Sequence, residues 1–118
     1  MAGRERSGLS EPMFYILMAF LYGDKCGIEV LDFIYNCSGG RVTVWPGTLY
    51  TVLGKFEAQG MIRESAVEGR KRTYTITERG RLVYEGEVLR LRACLDDARQ
   101  AMAYAEDDIE PDFDELDA

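Results

Sequence analysis

The segment running from Trp45-Pro46-Gly47-Thr48-Leu49-Tyr50 to Ala58-Gln59-Gly60-Met61-Ile62 constrains the fold more than any other part of this chain. Both ends of a short helix are written into it, and a hairpin follows at once. Pro46 belongs in a helix's first turn, where its missing N–H has no partner to lose, and Gly60 supplies the left-handed residue that stops a helix. Between them Leu49, Val52, Leu53 and Phe56 recur at helical spacing as one apolar stripe. Thr48, Tyr50, Thr51, Lys55 and Ala58 fall on the other side, so the spacing predicts a helix that buries one face and displays the second. Residues 62–67 and 72–77 read as strands, joined by Glu68-Gly69-Arg70-Lys71 with the glycine a tight turn needs. Three cations, Arg70, Lys71 and Arg72, follow that glycine.

A displayed helix face, a tight hairpin and a basic tip in this order predict a winged helix-turn-helix, whose second helix enters the major groove while the wing touches phosphates. The fold class expected is mainly α with a small β-hairpin (α+β), completed by a long C-terminal dimerisation helix. Ahead of the recognition segment, Ser10 can cap a first helix with Pro12 in its first turn, and residues 13–21 leave almost no polar face. A helix apolar all round is covered on all sides. A second helix should present Ile28, Leu31, Ile34 and Tyr35 as its stripe. Thr77 is a suitable N-cap for a last helix reaching to about residue 105. Along it Tyr84, Val88, Leu91, Leu95, Ala98, Met102, Ala105 and Ile109 alternate spacings of four and three, the repeat of a packed helix pair. The domain division expected is 1–80 for the winged helix, 81–105 for the dimerisation helix and 106–118 for an acidic, disordered tail.

Several of these segments resemble the PadR-like family of transcriptional regulators. Glu11-Pro12-Met13-Phe14-Tyr15-Ile16-Leu17 is similar to the family's first helix and Gly27-Ile28-Glu29-Val30 to the start of its second. Pro46-Gly47-Thr48-Leu49-Tyr50, with Leu53 and Gly60-Met61-Ile62, resembles its recognition helix. The run from Gly69-Arg70-Lys71-Arg72-Thr73-Tyr74 to Glu78-Arg79-Gly80 resembles its wing. The likeness spans about residues 10–100 and points to the branch with a single long C-terminal helix. It implies a homodimeric DNA-binding repressor, in some members responsive to small aromatic or drug-like ligands. Cys26 stands where the family commonly has histidine, and Gly54 where a longer side chain is usual. Trp45 is bulkier than the small residue expected before Pro46, and is read as a hydrophobic staple at the helix entrance.

Composition sets the remaining bounds. With 118 residues there is room for one modest core, so burial gained by association helps. No stretch approaches the roughly 20 apolar residues of a membrane helix, and the N-terminus lacks the apolar region of a secretion signal. Cys26, Cys37 and Cys94 make no paired-cysteine motif and are read as reduced core thiols, which with the missing signal implies a cytoplasmic address. The net charge of −7 first argues against DNA. Eight of the 21 acids, however, crowd into residues 106–118, and the remaining 13 face 14 cations, a net of +1. That tail is either a solubilising end or a competitor that folds back on the wing. There is no histidine, metal-ligand spacing or phosphate loop, so no enzyme, metal or cofactor is expected.

The residues expected to meet double-stranded DNA are Thr48, Tyr50, Thr51 and Lys55 on the recognition helix and Arg70, Lys71 and Arg72 on the wing. In this reading Lys55, Tyr50 and Thr51 face the groove, and Thr48 lies at a helix N-terminus that favours phosphate. The dimer interface expected is Tyr84, Val88, Leu91, Leu95, Ala98 and Met102. By resemblance, a small hydrophobic effector would be lined by Met13, Phe14, Leu17, Tyr84, Leu91 and Leu95, although the same side chains could simply fill a core. The alternative function is a winged helix that binds another protein instead of DNA.

Overall fold

The structure is a computed structural model that describes residues 8–109. Its elements are α1 (Glu11–Ala19), a 3-10 turn (Phe20–Tyr22), β1 (Lys25–Cys26), α2 (Gly27–Ser38), α3 (Pro46–Ala58), β2 (Ile62–Glu68), β3 (Lys71–Ile76) and α4 (Glu78–Ile109). The chain divides into two units, the first ending at Glu87 and the second beginning at Val88.

The first unit holds the core. Ser10 caps α1, its hydroxyl oxygen accepting the Met13 N–H at 3.3 Å, and Pro12 occupies the first turn. From α1 and the turn after it come Ile16, Leu17, Ala19 and Phe20; from α3 come Leu49, Leu53 and Phe56; the sheet adds Ile62, Tyr74 and Ile76. The phase of α2 differs from the expected stripe. Gly27, Val30 and Ile34 are its buried positions and Leu31 is half-buried, whereas Ile28 and Tyr35 are 67% and 64% exposed. Gly27 fixes this phase, because its missing Cβ leaves the room that the Tyr50 ring fills. The thiols also depart from expectation: Cys26 is half-buried, and Cys37 and Cys94 are exposed, so none belongs to the core.

The sheet has one strand more than the expected hairpin. Antiparallel order β1-β3-β2 places Lys25 opposite Tyr74 and Cys26 opposite Thr73. Thr77 links three segments at the start of α4: its hydroxyl donates to the Gly60 carbonyl at 2.6 Å and accepts the Gly80 N–H at 3.1 Å, the N-cap bond. A Cβ on Gly80 would collide with the Met61 carbonyl, so only glycine lets α4 begin this close to the sheet.

The second unit is helix alone among its described residues. Every residue from Leu89 to Glu106 is exposed in the single chain, including Leu91, Leu95, Met102 and Tyr104. The helix runs to Ile109, past the expected end near residue 105, and the rest of the acidic tail lies outside the described residues.

Candidate nucleic-acid interface

Helix α3 is held at both ends by local chemistry. Trp45 is its N-cap residue, with extended backbone and 72% exposure, so it is not the staple. The staple positions, one residue before the cap and four after it, belong to Val44 and Leu49, both in the core. At the other end the Gly60 N–H donates to the Glu57 carbonyl at 3.0 Å and the Met61 N–H to that of Phe56 at 2.8 Å. With Gly60 at φ 75° this is a Schellman stop. Burial of Leu49, Val52, Leu53 and Phe56 then turns Thr48, Tyr50, Thr51 and Lys55 outward, all exposed. Gly54 lies on the same outer face, and a Cβ there would meet nothing within 4 Å. It is not required for packing.

The wing tip is a two-residue turn, Gly69-Arg70, between the paired Glu68 and Lys71. Gly69 has φ 64° at the first central position, where a type II′ turn places its glycine. Nearer the base, the register jumps between Glu64 and Ala66, leaving Ser65 as the extra residue of a bulge. Asp24, just before β1, accepts hydrogen bonds from the Thr75 and Ser65 hydroxyls, which hold its carboxyl below the usual aspartate range. The wing is thereby braced from both outer strands. Arg70, Lys71 and Arg72 are exposed. Arg72 forms an ion pair with Glu64, which raises the guanidinium's pKa, so part of its charge is already answered within the wing.

Between the wing and the start of α2 lies a cleft of about 650 Å³. Its walls are residues 26–29 on one side, the Tyr50 ring on the second, and residues 70–72 with Tyr74 on the third. An ideal Cβ on Gly27 would lie 2.6 Å from the Tyr50 hydroxyl oxygen, so Tyr50 leans toward α2. The first turn of α2 is closed by a capping box in which the Cys26 thiol takes the place usual for serine or threonine. Glu29 accepts the Cys26 N–H at 2.9 Å; that bond first, and Lys71 and Lys25 further off, keep its carboxyl below the ordinary glutamate range. The structure thus brings Tyr50 and the three wing cations of the sequence reading around one cleft. Thr48, Thr51 and Lys55 are not among its walls. Ile28, read from sequence as the beginning of a buried stripe, is a cleft residue that reading missed, as are Cys26, Gly27, Glu29 and Tyr74; a glycine just inside a helix start was the available signal.

The residues expected to line an effector site are divided. Phe14 and Tyr84 stack in the first unit, with centroids 5.1 Å apart and planes 9° from parallel. Met13 is half-buried, Leu17 is fully buried, and Leu91 and Leu95 are exposed in the second unit. Of the expected interface, Tyr84 and Val88 are half-buried and Leu91, Leu95, Ala98 and Met102 are exposed. Among the described residues no cluster of metal-ligating side chains occurs. No described helix is long and apolar enough to cross a membrane.

A sequence model of the transcriptional regulator PadR-like family matches residues 16–86, from α1 through the wing into α4. The chain belongs to the PadR-like family of transcriptional regulators. PadR-like proteins are regulators rather than enzymes, which agrees with the chemistry absent from the sequence. No curated protein matches the chain by sequence. Among solved structures, the chain is similar to a transcriptional regulator from Clostridium thermocellum, at 22% identity over 78% of this chain and 96% of the other, with a TM-score of 0.68. It is similar to Bordetella bronchiseptica BpsR, whose DNA binding is regulated by 6-hydroxynicotinic acid, at 19% identity over 91% and 78% and a TM-score of 0.63. It also resembles Bacillus subtilis PadR in complex with operator DNA, at 19% identity over 68% and 46% and a TM-score of 0.57. At these identities the similar structures establish the fold alone.

Proposed function

We propose that this chain is a sequence-specific DNA-binding repressor that acts as a homodimer on an inverted-repeat operator in the cytoplasm. The observation that carries the reading is the outward face of α3, where Thr48, Tyr50, Thr51 and Lys55 are all exposed, together with the exposed cations Arg70, Lys71 and Arg72 on the wing. Phosphate contacts set affinity and its salt dependence, and four cations per subunit are few. Useful affinity therefore needs two subunits on a two-part site, with half-sites about one helical turn apart. The uncovered stripe of Leu91, Leu95, Ala98 and Met102 supplies a reason to pair, because an isolated helix gains little stability without a packed face.

An effector that releases the DNA is part of the proposal. BpsR gives a precedent for a small aromatic compound, and Met13, Phe14 and Tyr84 offer apolar surface in the first unit of this chain. Leu17 is fully buried, so an effector would reach it only by opening the core. The test is a gel shift against the chain's own upstream DNA over a range of salt. A DNA reader gives a steep salt slope, and Arg70→Ala with Lys71→Ala should weaken binding to all sequences and flatten that slope by about 2 per half-site. Binding without salt dependence, or a double variant that binds like wild type, would overturn the assignment.

A further inference from the structure

The cleft between the wing and α2 has a composition that the groove-reading face of α3 does not explain. One wall carries charge, from Arg70, Lys71 and Arg72, and the opposite wall carries carbon, from Ile28, which is 67% exposed, and from the Tyr50 ring. Its volume of about 650 Å³ lies within the roughly 300–1,000 Å³ of sites that hold an organic group, and far exceeds what a bare ion fills. The carboxylates nearby are already engaged: Glu29 caps α2 through Cys26, and Glu64 holds Arg72. Among the described residues Arg70 and Lys71 form no ion pair and keep their charge for an outside partner. A surface that is cationic on one side and apolar on the other suits a chain of alternating phosphates and deoxyribose rings.

The orientation of Tyr50 gives the second observation. The side chain starts on the recognition helix, yet its hydroxyl lies over Gly27 of α2, as the 2.6 Å separation from an ideal Cβ there shows. A tyrosine aimed along that line spans the cleft instead of reaching outward to a base edge. We propose that the cleft seats one sugar–phosphate strand of the bound duplex, gripped by the wing on one side and by Ile28 and Gly27 on the other. Tyr50 then contacts that strand's backbone and does not read a base. The inference rests on the DNA-reading assignment above and deepens it: base selectivity falls to Thr51 and Lys55, while Tyr50 and Ile28 contribute affinity common to all sequences.

The test uses the full chain on two duplexes, its operator and an unrelated sequence. Ile28→Glu places a negative charge in the cleft at an exposed position and should leave the thermal midpoint unchanged. It should weaken binding to both duplexes alike, by about tenfold or more at low salt, without altering base preference. Tyr50→Phe, which keeps the ring, should likewise leave base preference intact. Cys26 serves as an internal reporter, since it lines the cleft and is half-buried, whereas Cys37 is exposed outside it. Duplex DNA should slow alkylation of Cys26 by iodoacetamide several-fold and leave the rate at Cys37 as it was. If wild type binds DNA while Ile28→Glu binds equally well and Cys26 reacts at an unchanged rate, the cleft is not the seat and the DNA-reading assignment survives. A change in base preference in Tyr50→Phe would also overturn the proposal. If wild type binds neither duplex, the underlying assignment fails instead.

Discussion

In the first unit the apolar side chains of three helices and a sheet close on one another until Ile16, Leu17, Leu49 and Phe56 lose all contact with water, whereas Leu91 and Leu95 of the second unit remain wet on a lone helix. Burial is what converts apolar surface into stability, at about 25 cal/mol per Å² removed from water. The first unit has therefore collected that stabilisation within one chain. The second has the same kind of surface and has not. The two units teach that a helix's cap and propensity decide where it starts, while a covering surface decides whether its far end holds.

That contrast breaks first if the core of the first unit is cut. Phe56→Ala should lose about 3–5 kcal/mol of unfolding free energy, read by urea denaturation, with no dependence of the loss on protein concentration. The next largest effect belongs to the second unit. Leu91→Asp with Leu95→Asp should leave the first unit folded by circular dichroism, yet give monomers in sedimentation and weaken operator binding by about a hundredfold or more, since the two half-sites are no longer held together. If that variant stays dimeric, the exposed stripe is not the interface.

Gly54 sharpens the comparison inside the first unit. Because a Cβ there meets nothing within 4 Å, Gly54→Ala should stabilise the chain by about 1 kcal/mol in thermal melts. A simultaneous loss of operator affinity would show that the bare helix face is kept for close approach to DNA. The smallest effect is acid-dependent. The hydrogen bond from the Cys26 N–H keeps the Glu29 carboxyl below its ordinary value of 4.5, so its stabilisation is present above that pH and disappears as pH falls through the lowered value. Glu29→Gln should melt earlier than wild type at neutral pH, and the gap between the two should close as the solution becomes more acidic than pH 4.5.

Much of the fold was legible because its signals are local. Ser10, Pro12, Pro46, Gly60 and Thr77 each satisfy or forgo a backbone hydrogen bond within a few residues, and each sits where the sequence placed it. What escaped depends on partners distant in sequence. β1 is two residues long and exists only through pairing with β3. The turn of α2 about its axis is set by Gly27 meeting Tyr50, twenty-three positions away, so hydrophobicity alone assigns Ile28 and Tyr35 to the core, where they do not lie. Trp45 and the thiols misled for the same reason, since an apolar side chain does not announce which way it points. Of the candidate interface, the exposure of the α3 face and the wing could be read, but not the cleft, which no single element contains.

The bulge at Ser65 carries a consequence for how such a wing diversifies. Because one strand holds an extra residue, Val67 rather than Ala66 sits across from Arg72, on the side that Tyr74 and Ile76 share. Deleting that single residue would leave Val67 opposite Arg72 and Glu68 opposite Lys71 and take out only the bend, whereas a regular ladder with Ser65 kept would bring Ala66 opposite Arg72 and turn Val67 to the other face. A change of length by one codon would thus straighten the wing's backbone while the tip kept the neighbours it has now.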